Sequence, residues 1–175
     1  MRFSKQALPV VLLFCILVAS CKIPAWVGVA EGIAKVAAPM IASVVDIVDP
    51  ALAPQAKQAQ DAFNVLITAF DQYKADPNAT TLQAIQSAFA VAAANVSQLL
   101  TAVGASGTVP AEVSEILQLV SAAVSEIAAL IPEVSTPALT AKFPAPVKHW
   151  TAKDFVREYN KIAKGNPKLH ALSLQ

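Results

Sequence analysis

Beyond residue 20 the chain alternates apolar stripes with breaks marked by proline. Ala59, Phe63, Leu66, Phe70 and Tyr73 recur at steps of four and three. Leu82, Ile85, Phe89, Ala92, Val96, Leu99 and Val103 keep that rhythm, as do Val113, Leu117, Val120, Val124, Ile127 and Ile131. A helix returns to one face at this spacing, so each set predicts an amphipathic helix with a single apolar stripe. Asp49-Pro50, Pro54, Asp76-Pro77, Gly104 to Pro110 and Pro132 to Pro146 separate the pieces. The first helix should run from after Pro54 to near Ala75. The second should run from Thr80 or Thr81 to before Gly104, and the third from Pro110 to Ile131. Pro110 suits a first helical turn, and Glu112 and Glu115 suit its positive end. Each helix is about 22 residues, or about 33 Å, long at 1.5 Å per residue.

Short connections favour antiparallel neighbours. The expected fold is therefore all-α, an antiparallel three- to four-helix bundle over residues 21–131, with Ala88, Ala92 and Ala123 permitting close packing. The fourth helix is the mostly apolar stretch from about Pro24 to Val48. Glu31 and Lys35 form a four-residue pair on it, and Pro39 should kink or split it. Its length also fits a membrane span. Glu31, Lys35 and Asp46 oppose that reading, at a few kcal/mol each near the bilayer centre. It should pack on the bundle or lie at a membrane interface. The outer face of the second striped helix carries Gln83, Gln86, Ser87, Ala90, Ala94, Ser97 and Gln98, and no charge lies between Asp76 and Glu112. Such a face is either covered by a partner or simply neutral and wet.

After Ile131 the pattern changes. Pro132, Pro137, Pro144 and Pro146 make residues 132–149 a Pro-rich linker, extended and not helical, with Phe143 as a packing anchor. Residues 150–175 form a basic amphipathic helix and tail. Thr151 and Asp154 have capping-box spacing, and Trp150 and Phe155 have hydrophobic-staple spacing. Gly165 and Pro167 mark the stop. Phe155, Tyr159 and Ile162 share one face; Lys153, Arg157 and Lys161 run along another.

Composition supports helices, since alanine makes up roughly a fifth of the chain and has the best helix propensity. The formal net charge is only +1, which excludes a general polycation for nucleic acid. That balance hides an asymmetry: Lys22 to Ala141 holds four basic and ten acidic residues, and Lys142 to Gln175 holds seven basic and two acidic. The tail helix, with Trp150, Lys153, Arg157, Lys161 and Lys164, is thus the candidate surface for anionic lipid, an anionic wall polymer or an acidic protein partner. The bland alternative is a surface helix docked by its aromatic face on the acidic bundle.

The first twenty residues read as an export address. Arg2 and Lys5 precede an apolar run from Ala7 to Ala19, broken only by Pro9, and small residues follow. The run is shorter than the roughly 20 residues needed to span a bilayer. Val18-Ala19-Ser20-Cys21 resembles the lipobox of bacterial lipoproteins. That resemblance implies cleavage before Cys21, acylation of its thiol and a membrane partner held through lipid. Lys22, where an aspartate would retain the protein at the inner membrane, implies the outer membrane of a two-membrane host. Cys15 leaves with the signal, so the mature chain of about 155 residues has no disulfide to form. Small size and a lipobox also resemble outer-membrane spanins, which implies, as the alternative, a membrane-active or lysis-related and phage-encoded lipoprotein.

No Ser-His-Asp order, paired-carboxylate motif, phosphate-binding loop or metal motif stands out. His149 and His170 read as surface histidines, so no metal and no cofactor are expected. Asn78-Ala79-Thr80 and Asn95-Val96-Ser97 match a glycosylation pattern by chance. The expectation is a non-enzymatic, membrane-anchored envelope protein that scaffolds or binds.

Overall fold

Local chemistry sets each helix start. Pro24 precedes the first helix, its carbonyl accepting the Val27 N–H at 3.0 Å. The computed structural model describes residues 23–45, 50–105, 110–132 and 149–165, with residues 169 and 174. Among these are five helices and no strand: α1 (Ala25–Val45), α2 (Ala53–Ala75), α3 (Ala79–Ala105), α4 (Ala111–Leu130) and α5 (Ala152–Gly165). The expectations for residues 1–22, for the Pro-rich stretch with Phe143 and for His170 lie outside the described residues.

Pro54 sits in the first turn of α2, where its missing N–H costs nothing. Asn78 caps α3: its Oδ1 accepts the Thr81 N–H at 3.0 Å, while its own N–H donates to Thr81 Oγ1 at 3.1 Å. This reciprocal pair satisfies two otherwise orphaned donors. Pro110 precedes α4 in an extended conformation, with Glu112 in the first turn near the positive helix end.

Two expected boundaries differ. α1 passes through Pro39 as one 21-residue helix. Proline removes one N–H, so the Lys35 carbonyl loses its helical donor, but packing on both sides of Pro39 holds the helix together. α3 runs through Gly104 to Ala105, and Gly104 has open space around it.

Three contacts fix the helix directions. Lys74, in the last turn of α2, reaches Glu31 near the start of α1 at 2.9 Å. Asn95, late in α3, donates to the carbonyl of Gln58, early in α2, at 3.3 Å. Gln86, early in α3, donates to the carbonyl of Pro132, just past α4, at 2.9 Å. Successive helices therefore alternate in direction, as the short connections predict. Asn78 and Asn95, which carry the glycosylation-like motifs, both use their side chains in structural hydrogen bonds.

α1 is the centre of the arrangement. It packs on α2, α4 and α5, whereas α3 packs on α2 and meets α4 only lightly. Val27, Ala30, Ile33, Ala34, Ala37, Met40, Ile41 and Val44 of α1 are fully buried. The helix expected to be optional is packed against three others. The stripes of α2, α3 and α4 are covered as well: Phe63, Leu66, Phe70, Phe89, Val96, Val120 and Ile127 are all buried. Leu82 and Tyr73, at stripe ends, are half-buried. Three helices, α1, α3 and α4, are long and apolar enough to cross a membrane by length and composition. In the bundle their stripes form the core.

Exposure on α3 follows expectation except at Gln86, which is half-buried and bonds the Pro132 carbonyl, and at Ser97. Gln83, Ser87, Ala90, Ala94 and Gln98 are exposed, but Ser97 is buried, its carbonyl accepting the Thr101 hydroxyl at 2.8 Å. Ser97 lies one residue after Val96 at the edge of the apolar stripe, where close α2–α3 packing covers a small side chain.

Phe70→Ala should cost about 3–5 kcal/mol, as truncation of a fully buried aromatic usually does, whereas Val91→Ala, at a 56% exposed site, should stay within about 0.5 kcal/mol. Urea unfolding of the two variants measures the contrast.

Candidate functional site

The C-terminal helix begins as its sequence predicts. Both the N–H and the hydroxyl of Thr151 donate to Asp154 Oδ2, at 3.0 and 2.8 Å. These bonds, the backbone one first, hold the Asp154 carboxyl below the usual carboxylate range. The Trp150 and Phe155 rings stack at 5.1 Å between centroids, closing the staple. Phe155, Tyr159 and Ala163 are buried and Ile162 is half-buried, so the aromatic face docks on α1 and α4.

The exposed face is less basic than its lysines and arginine suggest. Arg157 pairs with Asp154 at 2.9 Å and with Glu158 at 3.2 Å, and Lys161 pairs with Glu158 at 2.9 Å. Lys161, and then Arg157, lower the Glu158 carboxyl, while the hydrogen bond to Glu158 is the main cause raising Arg157. The helix therefore neutralises much of its own charge. Lys153 and Lys164 are exposed, and no ion pair involves either of them among the described residues. Of the five predicted surface residues, Trp150 is the half-buried one; Lys153, Arg157, Lys161 and Lys164 point outward.

Besides that aromatic face, a buried carboxylate joins this helix to the acidic bundle. Glu126, on α4, is 2% exposed at its side chain. Its Oε1 accepts the Trp150 N–H at 3.0 Å, and its Oε2 meets His149 Nδ1 at 3.2 Å. Both oxygens are thus used, which is what a buried acid requires. His149 lies on the surface, 87% exposed, but it is not solitary. At the other end, Asn160 clasps the tail: its Nδ2 donates to the Leu174 carbonyl at 2.9 Å and its Oδ1 accepts the Leu174 N–H at 3.0 Å. Leu169 is fully buried. Sequence reasoning missed Glu126 and Asn160. Glu126 sits between Ser125 and Ile127 inside an apolar run, the one local hint that it has an internal partner.

An open groove of about 440 Å³ lies between α4 and α5, lined by Glu115, Gln118, Leu119, Trp150, Glu158, Lys161 and Ile162. α5 therefore runs antiparallel to α4, with Trp150 near Glu126 and Lys161 near Glu115. The groove holds two carboxylates, an amide and an ammonium around an apolar floor. It has no hydroxyl or thiol nucleophile paired with a base. No three His, Cys, Asp or Glu residues cluster as a metal site among the described residues.

A second cluster stands at the opposite side of α1. Glu31, nearly buried, accepts ion pairs from Lys35 and from Lys74. Lys74 also pairs with Asp71 at 2.7 Å, which raises the ammonium and lowers the carboxyl from their usual ranges. This network ties α1 to α2. Trp26 packs beside it, its ring 6.4 Å from Phe70 and 6.0 Å from Tyr73.

Comparison with protein-family models, with curated proteins and with solved structures finds no match to this chain.

Glu126→Ala removes the acceptor of the part-buried Trp150 N–H, a loss of about 1–3 kcal/mol. It should speed amide exchange in α5 while α2 and α3 stay protected. Glu126→Gln keeps an acceptor and should have the smaller effect.

Proposed function

We propose that the protein is a lipid-anchored, non-enzymatic lipoprotein of the bacterial envelope that acts as a scaffold or binding module. In a two-membrane host it sits on the periplasmic side of the outer membrane. The observation that carries this reading is Val18-Ala19-Ser20-Cys21, a lipobox that ends two residues before the described bundle begins at Ile23. The fold supports it from the other side. α1 spends its apolar face on the core, so an acyl group on Cys21 is the attachment that remains. Two or more acyl chains hold a protein stably at a membrane where one does not.

The binding surface under this reading is the outer face of α5. Lys153 and Lys164 stand about 16 Å apart along the helix at 1.5 Å per residue, with the self-paired Arg157 and Lys161 between them. An acidic protein or an anionic wall polymer of extended shape suits that spacing better than a single small anion. The second reading, a membrane-active or lysis-related lipoprotein, draws on the three helices with the length and composition to cross a bilayer. It requires the bundle to open, and leakage of liposomes on adding the purified protein would favour it.

Replacing Cys21 with alanine should move the protein from the membrane fraction to the soluble one and abolish palmitate labelling. A variant that stays membrane-bound and labelled would contradict the anchor.

A further inference from the structure

We propose that the end of the bundle formed by the first turns of α1 is a seat on the phospholipid surface, with Trp26 at headgroup depth and α5 leading away from the membrane. The proposal rests on the anchoring of Cys21. From Cys21 to Ile23 the backbone spans at most about 7 Å at about 3.6 Å per residue. An acylated Cys21 cannot hold the bundle off the bilayer on a tether that short. Whatever surface surrounds Ile23 must meet the headgroups.

That surface is built for the contact. Among the described residues the exposed large apolar side chains are Ile23, Val29, Val65 and Val91. Two of these four fall in the first seven described residues, and half-buried Trp26 stands between them, three residues from each. Tyr73 packs on Trp26 from α2. Tryptophan and tyrosine favour the membrane–water interface, where an apolar ring body and a polar edge are both satisfied.

The same geometry sets Trp150 higher. Gly32 faces the Ala152 methyl, which lies 3.6 Å from where a Cβ on Gly32 would stand. Gly32 is six residues past Trp26, about 9 Å further along α1 at 1.5 Å per residue. Trp150 stands two residues to the membrane side of Ala152, but its ring turns back along α5 to Phe155, 5.1 Å away between centroids, and lines the groove with Leu119 and Ile162. The two tryptophans of the chain therefore report two depths.

The test uses the mature, acylated full-length lipoprotein in vesicles of phosphatidylcholine or its acyl-brominated counterpart. Trp150→Phe leaves Trp26 as the fluorophore, and Trp26→Phe leaves Trp150. Circular dichroism checks that both stay helical. Brominated lipid should quench Trp26 severalfold more than Trp150. Adding Ile23→Ser and Val29→Ser to the Trp26 reporter should reduce that quenching without releasing the protein. A palmitate-labelled protein that floats with vesicles but shows no quenching of Trp26 would overturn the seat and leave the anchor intact. A protein neither labelled nor floating would overturn the anchor and the seat together.

Discussion

Burial of α1 by three other helices is the constraint on which the rest of the structure depends. Its small residues Ala30, Ala34, Ala37 and Ala38 let neighbouring backbones approach, and Ile33, Met40 and Ile41 fill the space between them. α2 closes on one side through the Phe70 and Trp26 contact and the Glu31–Lys74 ion pair. α4 and α5 close on the other sides. Without α1, the stripes of α2 and α4 would have no common partner, since α3 and α4 barely meet. Alanine-rich helices can draw stability from such contacts because close packing compensates for small side chains.

Much of this was legible in the sequence because helical periodicity is a local property. The stripes from Phe63 to Phe70, from Ile85 to Val103 and from Val113 to Ile131 became buried faces, and the cap and staple at Thr151 and Trp150 formed at the predicted spacing. The errors were of two kinds. Pro39 is a local signal of a break, and buried neighbours on both sides of it keep the helix unsplit; at Gly104 the helix simply runs one residue further, to Ala105. The central place of α1, the internal partner of Glu126 and the clasp of Asn160 on Leu174 depend on residues distant in sequence. No window on the sequence contains both partners. α1 was the hardest to place because a helix apolar on most of its circumference fits a membrane and a bundle centre equally well.

The candidate surface changed more than the fold did. Seven basic residues against two acidic ones suggested a positive tail opposed to a negative bundle. The two acids, Asp154 and Glu158, instead pair with Arg157 and Lys161 on the same helix. The aromatic face and the Glu126 carboxylate dock the helix; surface charge does not. The outer face is thus half-neutralised, with exposed lysines at its two ends that pair with no acid among the described residues.

α1 belongs to the core of the bundle, its apolar residues buried and its neighbours α2, α4 and α5. Hydrogen exchange on residues 21–175 carrying Cys21→Ala, in buffer without lipid or detergent, tests it directly. The account predicts that amides of Ile33 to Val44 are among the slowest to exchange and open together with those of α2 and α4. Fast exchange across α1 while α2, α3 and α4 remain protected, or protection of α1 that appears only when vesicles are added, would contradict it.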